Sequence, residues 1–326
     1  MMRASHAAAL GTAMIMLSAL AQPVAAQADY PNKPIRFITP YAPGGSTSVL
    51  ARVVGQKMTE RWGQAVVVDN RPGASTMIGT EALARAAPDG YTILLVSVDA
   101  VLIPQLLTAP YDILKDFAPV GTISATTFIL LLHPAVPVNT LKEFVALGKS
   151  RPGQINYASA GSGTISHLVG EFLGVVTGMR MQHVPYKGGG PALTDLLGGH
   201  VQMLMVPPVT AIAHVQAGKL KGLAVSGETR LSALPQVPTF AEAGLPGFDA
   251  RQWYGILAPA RTPKAVIDKL SAELGRTLAM PDIRERLDGQ GMDPFPTSPE
   301  QFAALLRSEM AKYGKVIKAG NIKVEM

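Results

Sequence analysis

Three times along the chain, a short apolar run ends in a turn of glycine and hydroxyl residues and passes directly into residues at helical spacing. The first run is Ile35 to Thr39, followed by "YAPGGSTS" (Tyr41 to Ser48) and then by Val49, Leu50, Val53, Val54, Met58 and Trp62. "INYASAGSGTISHLVG" and "HVPYKGGGPALTDLL" repeat the pattern. A strand that turns straight into a helix cannot pair with its successor through a hairpin, so the next strand must return parallel after a helical crossover. This restricts the chain to an α/β architecture, with helices packed on a parallel sheet.

The units fall into two series. In the first, "YAPGGSTS" leads to a helix, the strand "QAVVVDN", a helix in "RPGASTMIGTEALARAA" starting near Ser75, and the strand of "PDGYTILLVSVDA". A second series begins after "ILLLHPAVPVNT", where Thr140 and Glu143 have capping-box spacing, and runs to the strand "LKGLAV" and the extended loop "LSALPQVPTFAEAGLPGFDA". "RQWYGILAPA" reads as one further strand. Three helices without intervening strands follow, the first signalled by Thr262 before Pro263 and the last by Ser298, Pro299 and Gln301. Helices without strands make no third sheet and are expected to pack back on the first unit. The expected fold is α/β with two lobes and a cleft between them: residues 27–127 with 247–326 in lobe 1, and residues 128–246 in lobe 2.

The N-terminal segment is expected to be removed. Arg3, the apolar run Ala7 to Leu20 and the small residues of "PVAAQA" have the layout of a secretory signal covering residues 1–26, with cleavage after Ala26 or Ala28. That run is shorter than the roughly 20 residues that span a bilayer. The chain has no cysteine, hence neither a lipidation site nor disulfides, and a free periplasmic protein stabilised by its core is expected. The formal charge of +6, or +5 without Arg3, is spread out and few residues are aromatic, which argues against nucleic acid and suits small anions.

Ligands of parallel sheets bind at the carboxyl ends of the strands, where helix N-termini offer unpaired N–H groups and partial positive charge. "YAPGGSTS" and "SAGSGTISH" (Ser159 to His167) are therefore expected to face the cleft, one from each lobe. Each turn taken alone also fits a plain tight turn with a helix cap. Enzyme motifs are missing. Gly161 and Gly163 begin G-x-G, but Ser166 stands at the third position and no acidic residue ends the next strand. "YAPGGSTS" lacks the Gly-Lys end of a P-loop, and "SAGSGT" is no nucleophile elbow for Ser162. His133, His167, His183, His200 and His214 lack metal-ligand spacing, so neither metal nor cofactor is expected. Asp69 is read as stabilising the "NRPG" turn, and Asp99 as a carboxylate at the cleft.

The segments "YPNKPIRFITPYAPGGSTS", "VVVDNRPGAS", "ARAAPDGYTILL", "YDILKDFAPV", "INYASAGSGTISHL", "HVPYKGGGPALTDLLGGHV", "LPQVPTFAEAGLPGF" and "WYGILAPARTPK" together resemble the Bordetella uptake gene (Bug) family across nearly the whole mature chain. The resemblance implies a monomeric two-lobed flytrap that closes on a small carboxylate and delivers it to the membrane components of a tripartite tricarboxylate transporter. It implies ligand contacts from Tyr41, Gly44, Gly45, Ser46, Thr47 and Ser48 in the first turn and Ser159, Gly161, Gly163, Thr164 and His167 in the second, with Ser97 at a strand end. Where family members commonly carry Asp, this chain has Ser48 and Val206, which disfavours an amino acid and favours a mono- or dicarboxylate with a hydrocarbon or aromatic body. Two other readings stay open: a sensor that signals to a membrane receptor kinase, and a periplasmic hydrolase using Ser162 and His167.

Overall fold

The computed structural model describes residues 30–319 and residue 324. The expected signal segment, residues 1–26, lies outside the described residues. Strand β1 (Ile35–Thr39) is flanked by β2 (Val66–Asn70) and β3 (Thr92–Ser97) and runs parallel to both. Helix α1 (Ser46–Trp62) joins β1 to β2, and α2 (Met77–Ala84) joins β2 to β3. After α3 (Asp99–Leu106), the long strand β4 (Phe117–Thr127) leads out of this sheet.

The second sheet is built from β5 (Ile129–Leu132), β6 (Asn156–Ser159), β7 (Gln182–Pro185), β8 (Met203–Val206) and β9 (Lys221–Val225), in the order β7-β6-β8-β5-β9. Its helices are α4 (Leu141–Ser150), α5 (Ile165–Thr177), α6 (Gly189–Leu197) and α7 (Ile212–Gln216). The chain then returns through β10 (Arg251–Pro259), α8 (Lys264–Ala279), α9 (Pro281–Asp288), β11 (Met292–Pro294) and α10 (Pro299–Ala319). The first sheet is completed as β11-β4-β10-β3-β1-β2.

Neither sheet is wholly parallel. β10 lies antiparallel between β3 and β4, and β5 is antiparallel to β8 and β9. The strands at the two crossings cause this, since β5 and β10 each enter a sheet from the other one without a helical crossover. The expectation of three C-terminal helices with no strand among them is corrected by β11, which pairs with β4 at the sheet edge. Three residues ending in Pro294 are too few to show a periodic pattern. Helix α2 begins at Met77 rather than near Ser75, because Ala74, Ser75 and Thr76 hold left-handed φ values of 45°, 48° and 77°. Thr262 does not cap α8: Pro263 occupies the cap position, and the buried Thr262 hydroxyl has no hydrogen-bond partner among the described residues. The Thr140–Glu143 box forms, and the Ser298–Gln301 pair caps α10 in the same reciprocal way.

Strand alternation sorts the core. In β3, Ile93 and Leu95 join Phe37, Leu50, Val54 and Leu270 on one face, while Leu94 and Val96 join Leu83, Phe302 and Leu306 on the other. Both faces are covered, which is why "TILLV" reads as a continuous apolar run. The second sheet is sorted likewise, with Ile129 and Leu131 facing Leu193, Leu196 and Leu204. The two crossings between the sheets are clasped together: Ser226 N–H donates to the Phe128 carbonyl (2.8 Å), and Phe128 N–H donates to Ser226 Oγ (2.9 Å).

Candidate ligand cleft

The first turn is held from beneath by Asn70 at the end of β2. Its side-chain amide lies 2.6 Å from Thr39 Oγ1, 2.9 Å from the Tyr41 carbonyl and 2.9 Å from Ser48 Oγ. Gly44 takes φ 91°, where a side chain would be strained, and Gly45 is the extended N-cap of α1. No side chain caps this helix, which leaves its first N–H groups without a side-chain partner. Tyr254 donates to Ser46 Oγ at 2.6 Å and fixes that hydroxyl.

The second turn is locked largely by its own side chains. Ser166 Oγ accepts from Ala160 N–H (2.9 Å), Thr164 Oγ1 donates to the Gly161 carbonyl (2.6 Å), and His167 Nδ1 accepts from Gly163 N–H (3.1 Å). Nδ1 as acceptor requires a neutral ring with its proton on Nε2. His167 stacks on His183 with ring centroids 3.9 Å apart, and His183 Nε2 lies 2.6 Å from Ser159 Oγ. Burial, with His167 alongside, pushes the His183 pKa down to about 4, and burial lowers that of His167.

A third turn, Lys187 to Gly190, leads into the first residues of α6 and borders the cleft from the second lobe. Ala42 N–H donates to the Lys187 carbonyl at 2.8 Å, and Gly190 sits so close that an added Cβ would lie 2.2 Å from the Pro43 carbonyl oxygen. The lobes therefore meet backbone to backbone at this point. Between them lies a cavity of about 40 Å³, room for a few waters on a measure where roughly 10–15 Å³ holds one. Its polar lining includes Ser46, Thr47, Ser166, Thr210 and Gln252, and Phe128, Val206 and Pro207 supply apolar wall. An outer chamber of about 250 Å³ adjoins it at Tyr41 and Ala160 and is bordered by the left-handed loop 73–76 and by Lys187.

Of the residues expected in the site, Tyr41, Gly45, Ser46, Thr47 and Val206 line the inner cavity, and Gly161 lines the outer chamber. Gly44 forms the contact with Gly190. Ser48 lies behind the turn on Asn70, and Ser97 lies behind Tyr41, whose hydroxyl is 3.0 Å away. Ser159, Gly163, Thr164 and His167 shape the second turn without lining either cavity. Gly189, Thr210 and Gln252 line the inner cavity without having been expected there. "KGGGP" carried the signal for Gly189, being the third glycine turn at a helix entry. Gln252 lies on β10, where no turn marks it.

Among the described residues, one acidic side chain enters the cleft. Asp99, at the start of α3, is buried, and its Oδ1 accepts from Ile165 N–H at the start of α5, 2.6 Å across the gap between the lobes. Tyr41 donates to Oδ2, as does Ser97 at 3.2 Å. Burial raises the Asp99 carboxyl above its ordinary range, and burial beside that carboxylate raises the Tyr41 phenol well above its own.

The histidine pair makes stability pH-dependent. The folded pKa of His183, about 4, lies below its ordinary 6.5, so the unfolded chain binds the proton more readily. The stabilising share is complete above about 6.5 and is lost as pH falls toward 4. Asp99, with its raised pKa, works in the opposite direction, favouring the folded form at low pH. Thermal melts between pH 7 and 4 are expected to show a smaller decline for His183→Gln than for the unmodified protein. The difference should be about 2–4 °C for each kcal/mol involved; parallel declines would remove His183 as the source.

Two α/β lobes joined by two crossings, with helix N-termini meeting at a cleft, define a solute-binding protein of the periplasmic type. The description "Tripartite tricarboxylate transporter family receptor" matches residues 50–322. Protein BugT of Bordetella pertussis (strain Tohama I) is 35% identical over 314 residues, covering 95% of this chain and 96% of that protein. The chain belongs to the tripartite tricarboxylate transporter receptor family. Among solved structures, the periplasmic binding protein BugD superposes with a TM-score of 0.86 at 34% identity, over 90% of this chain and 99% of its own. Rpa4515 of R. palustris, solved with adipate, gives a TM-score of 0.87 at 30% identity over the same shares. A transporter family receptor related to a periplasmic binding protein is a binding protein rather than an enzyme, and the chain is of that class.

Proposed function

We propose that this protein captures a small organic carboxylate in the periplasm and presents it to the membrane components of a tripartite tricarboxylate transporter. The observation that carries the reading is a cleft in which the N-termini of α1 and α6 face one another without a capping side chain and, among the described residues, with no Lys or Arg on the inner lining. Such termini hold an anion by N–H donation and partial charge alone. The adipate in the Rpa4515 structure supports the same ligand chemistry. We assign residues 27–127 with 247–326 to lobe 1, residues 128–246 to lobe 2, and residues 1–26 to export of a monomeric protein.

In this reading Ser46 and Thr47 receive the carboxylate, and Phe128, Val206 and Pro207 hold the body of the ligand. Closure excludes water and strengthens each hydrogen bond. A thermal-shift screen against mono-, di- and tricarboxylic and aromatic acids tests it. A ligand at 100 times its Kd stabilises the native state by about 2.7 kcal/mol, so a binder should stand out clearly. Selective binding of aspartate or glutamate, or of no acid in the panel, would contradict the reading.

A further inference from the structure

Among the described residues, Asp99 is the only charged side chain on the lining of the inner cavity, and it is 3% exposed. It comes from the first lobe but occupies the N-terminus of a helix of the second, with Oδ1 2.6 Å from Ile165 N–H. Tyr41 and Ser97 both donate to Oδ2. A carboxyl group that accepts from three donors is arranged as a carboxylate. It stands where an anion bound to α5 would stand.

We propose that Asp99 is a built-in occupant of the α5 anion position, and that the cleft therefore selects monocarboxylates over dicarboxylates. This rests on the carboxylate reading above and narrows it. With α5 taken, the uncapped termini of α1 and α6, which bring Ser46, Thr47 and Gly189 to the cavity, remain for one ligand carboxylate. A second carboxylate in the cavity would meet Asp99 in a buried space with no Lys or Arg on its lining, and like charges in such a place disfavour one another strongly. Phe128, Val206 and Pro207 suit an apolar remainder instead.

The test is calorimetry on the mature protein with acids matched in carbon skeleton: hexanoate against adipate, butyrate against succinate, and benzoate against terephthalate. In any pair that binds, the monocarboxylate should be tighter by at least about tenfold. Asp99→Asn keeps an oxygen for Ile165 N–H while removing the charge, and should narrow that ratio to within about threefold. A wild-type preference for the diacid, or an Asp99→Asn ratio equal to the wild-type one, would overturn the proposal. The wild-type ratio decides even if the variant fails to fold. Tighter binding of 2-aminohexanoate than of hexanoate would assign Asp99 to an ammonium group and overturn it as well. Binding of no acid in the wider thermal-shift panel would reject the carboxylate reading itself, an outcome distinct from a diacid preference, which leaves that reading standing.

Discussion

Gly190→Ala should weaken ligand binding by roughly 10- to 100-fold while leaving the melting temperature of the unliganded protein nearly unchanged. An added Cβ would lie 2.2 Å from the Pro43 carbonyl oxygen and 3.1 Å from the Gly44 Cα, both backbone atoms of the opposite lobe. No rotamer can relieve such a contact, and overpacking costs about 1–3 kcal/mol. The penalty falls on the form in which the lobes meet. In the open form, alanine in the first turn of α6 is a better helix former than glycine. Gly275, exposed on α8, is the informative control, since an added Cβ there would meet nothing within 4 Å. Isothermal titration with the strongest acid from the screen measures the effect. An affinity equal to wild type would mean that binding does not require this backbone contact.

Phe302→Ala should cost about 3–5 kcal/mol of stability, the range for removing a large aromatic side chain from a core. Phe302 is fully buried and fastens α10 to the first sheet. Its ring meets Trp253 edge-on at 5.5 Å and lies over Gly255, where a Cβ would come within 2.4 Å of it. Glycine at 255 is thus the socket that admits the ring. Urea unfolding should show a lower midpoint with a similar slope, and the variant that remains folded should keep its ligand affinity. A loss under about 1 kcal/mol would mean that α10 is held elsewhere, contrary to the packing described.

The glycine turns were legible because each joins two periodicities, a strand's and a helix's, and only a strand-to-helix turn reconciles them. The capping boxes at Thr140 and Ser298 were legible for the same local reason. What stayed hidden is relational. Asp99 could be placed at a strand end, but its contact with Ile165 lies 66 residues away and depends on how the lobes approach. The pairing of His167 with His183 likewise comes from the first turn of α5 lying beside β7 rather than from spacing along the chain. Ser48 looked like a residue facing the ligand, yet the first turn of α1 directs it toward Asn70. β11 was missed because its three residues carry no period.

The position of β10 also governs the order in which the molecule can be assembled. Tyr254 pairs with Ser97 and with Ser124, so the strand that joins the two halves of the first sheet is made after the whole of the second sheet. A chain emerging N-terminus first, from the ribosome or from an export channel, can complete the second sheet from one continuous stretch. The first must wait with β3 and β4 unjoined until residues 251–259 arrive. The second sheet can thus stand complete while the first still waits for its central strand.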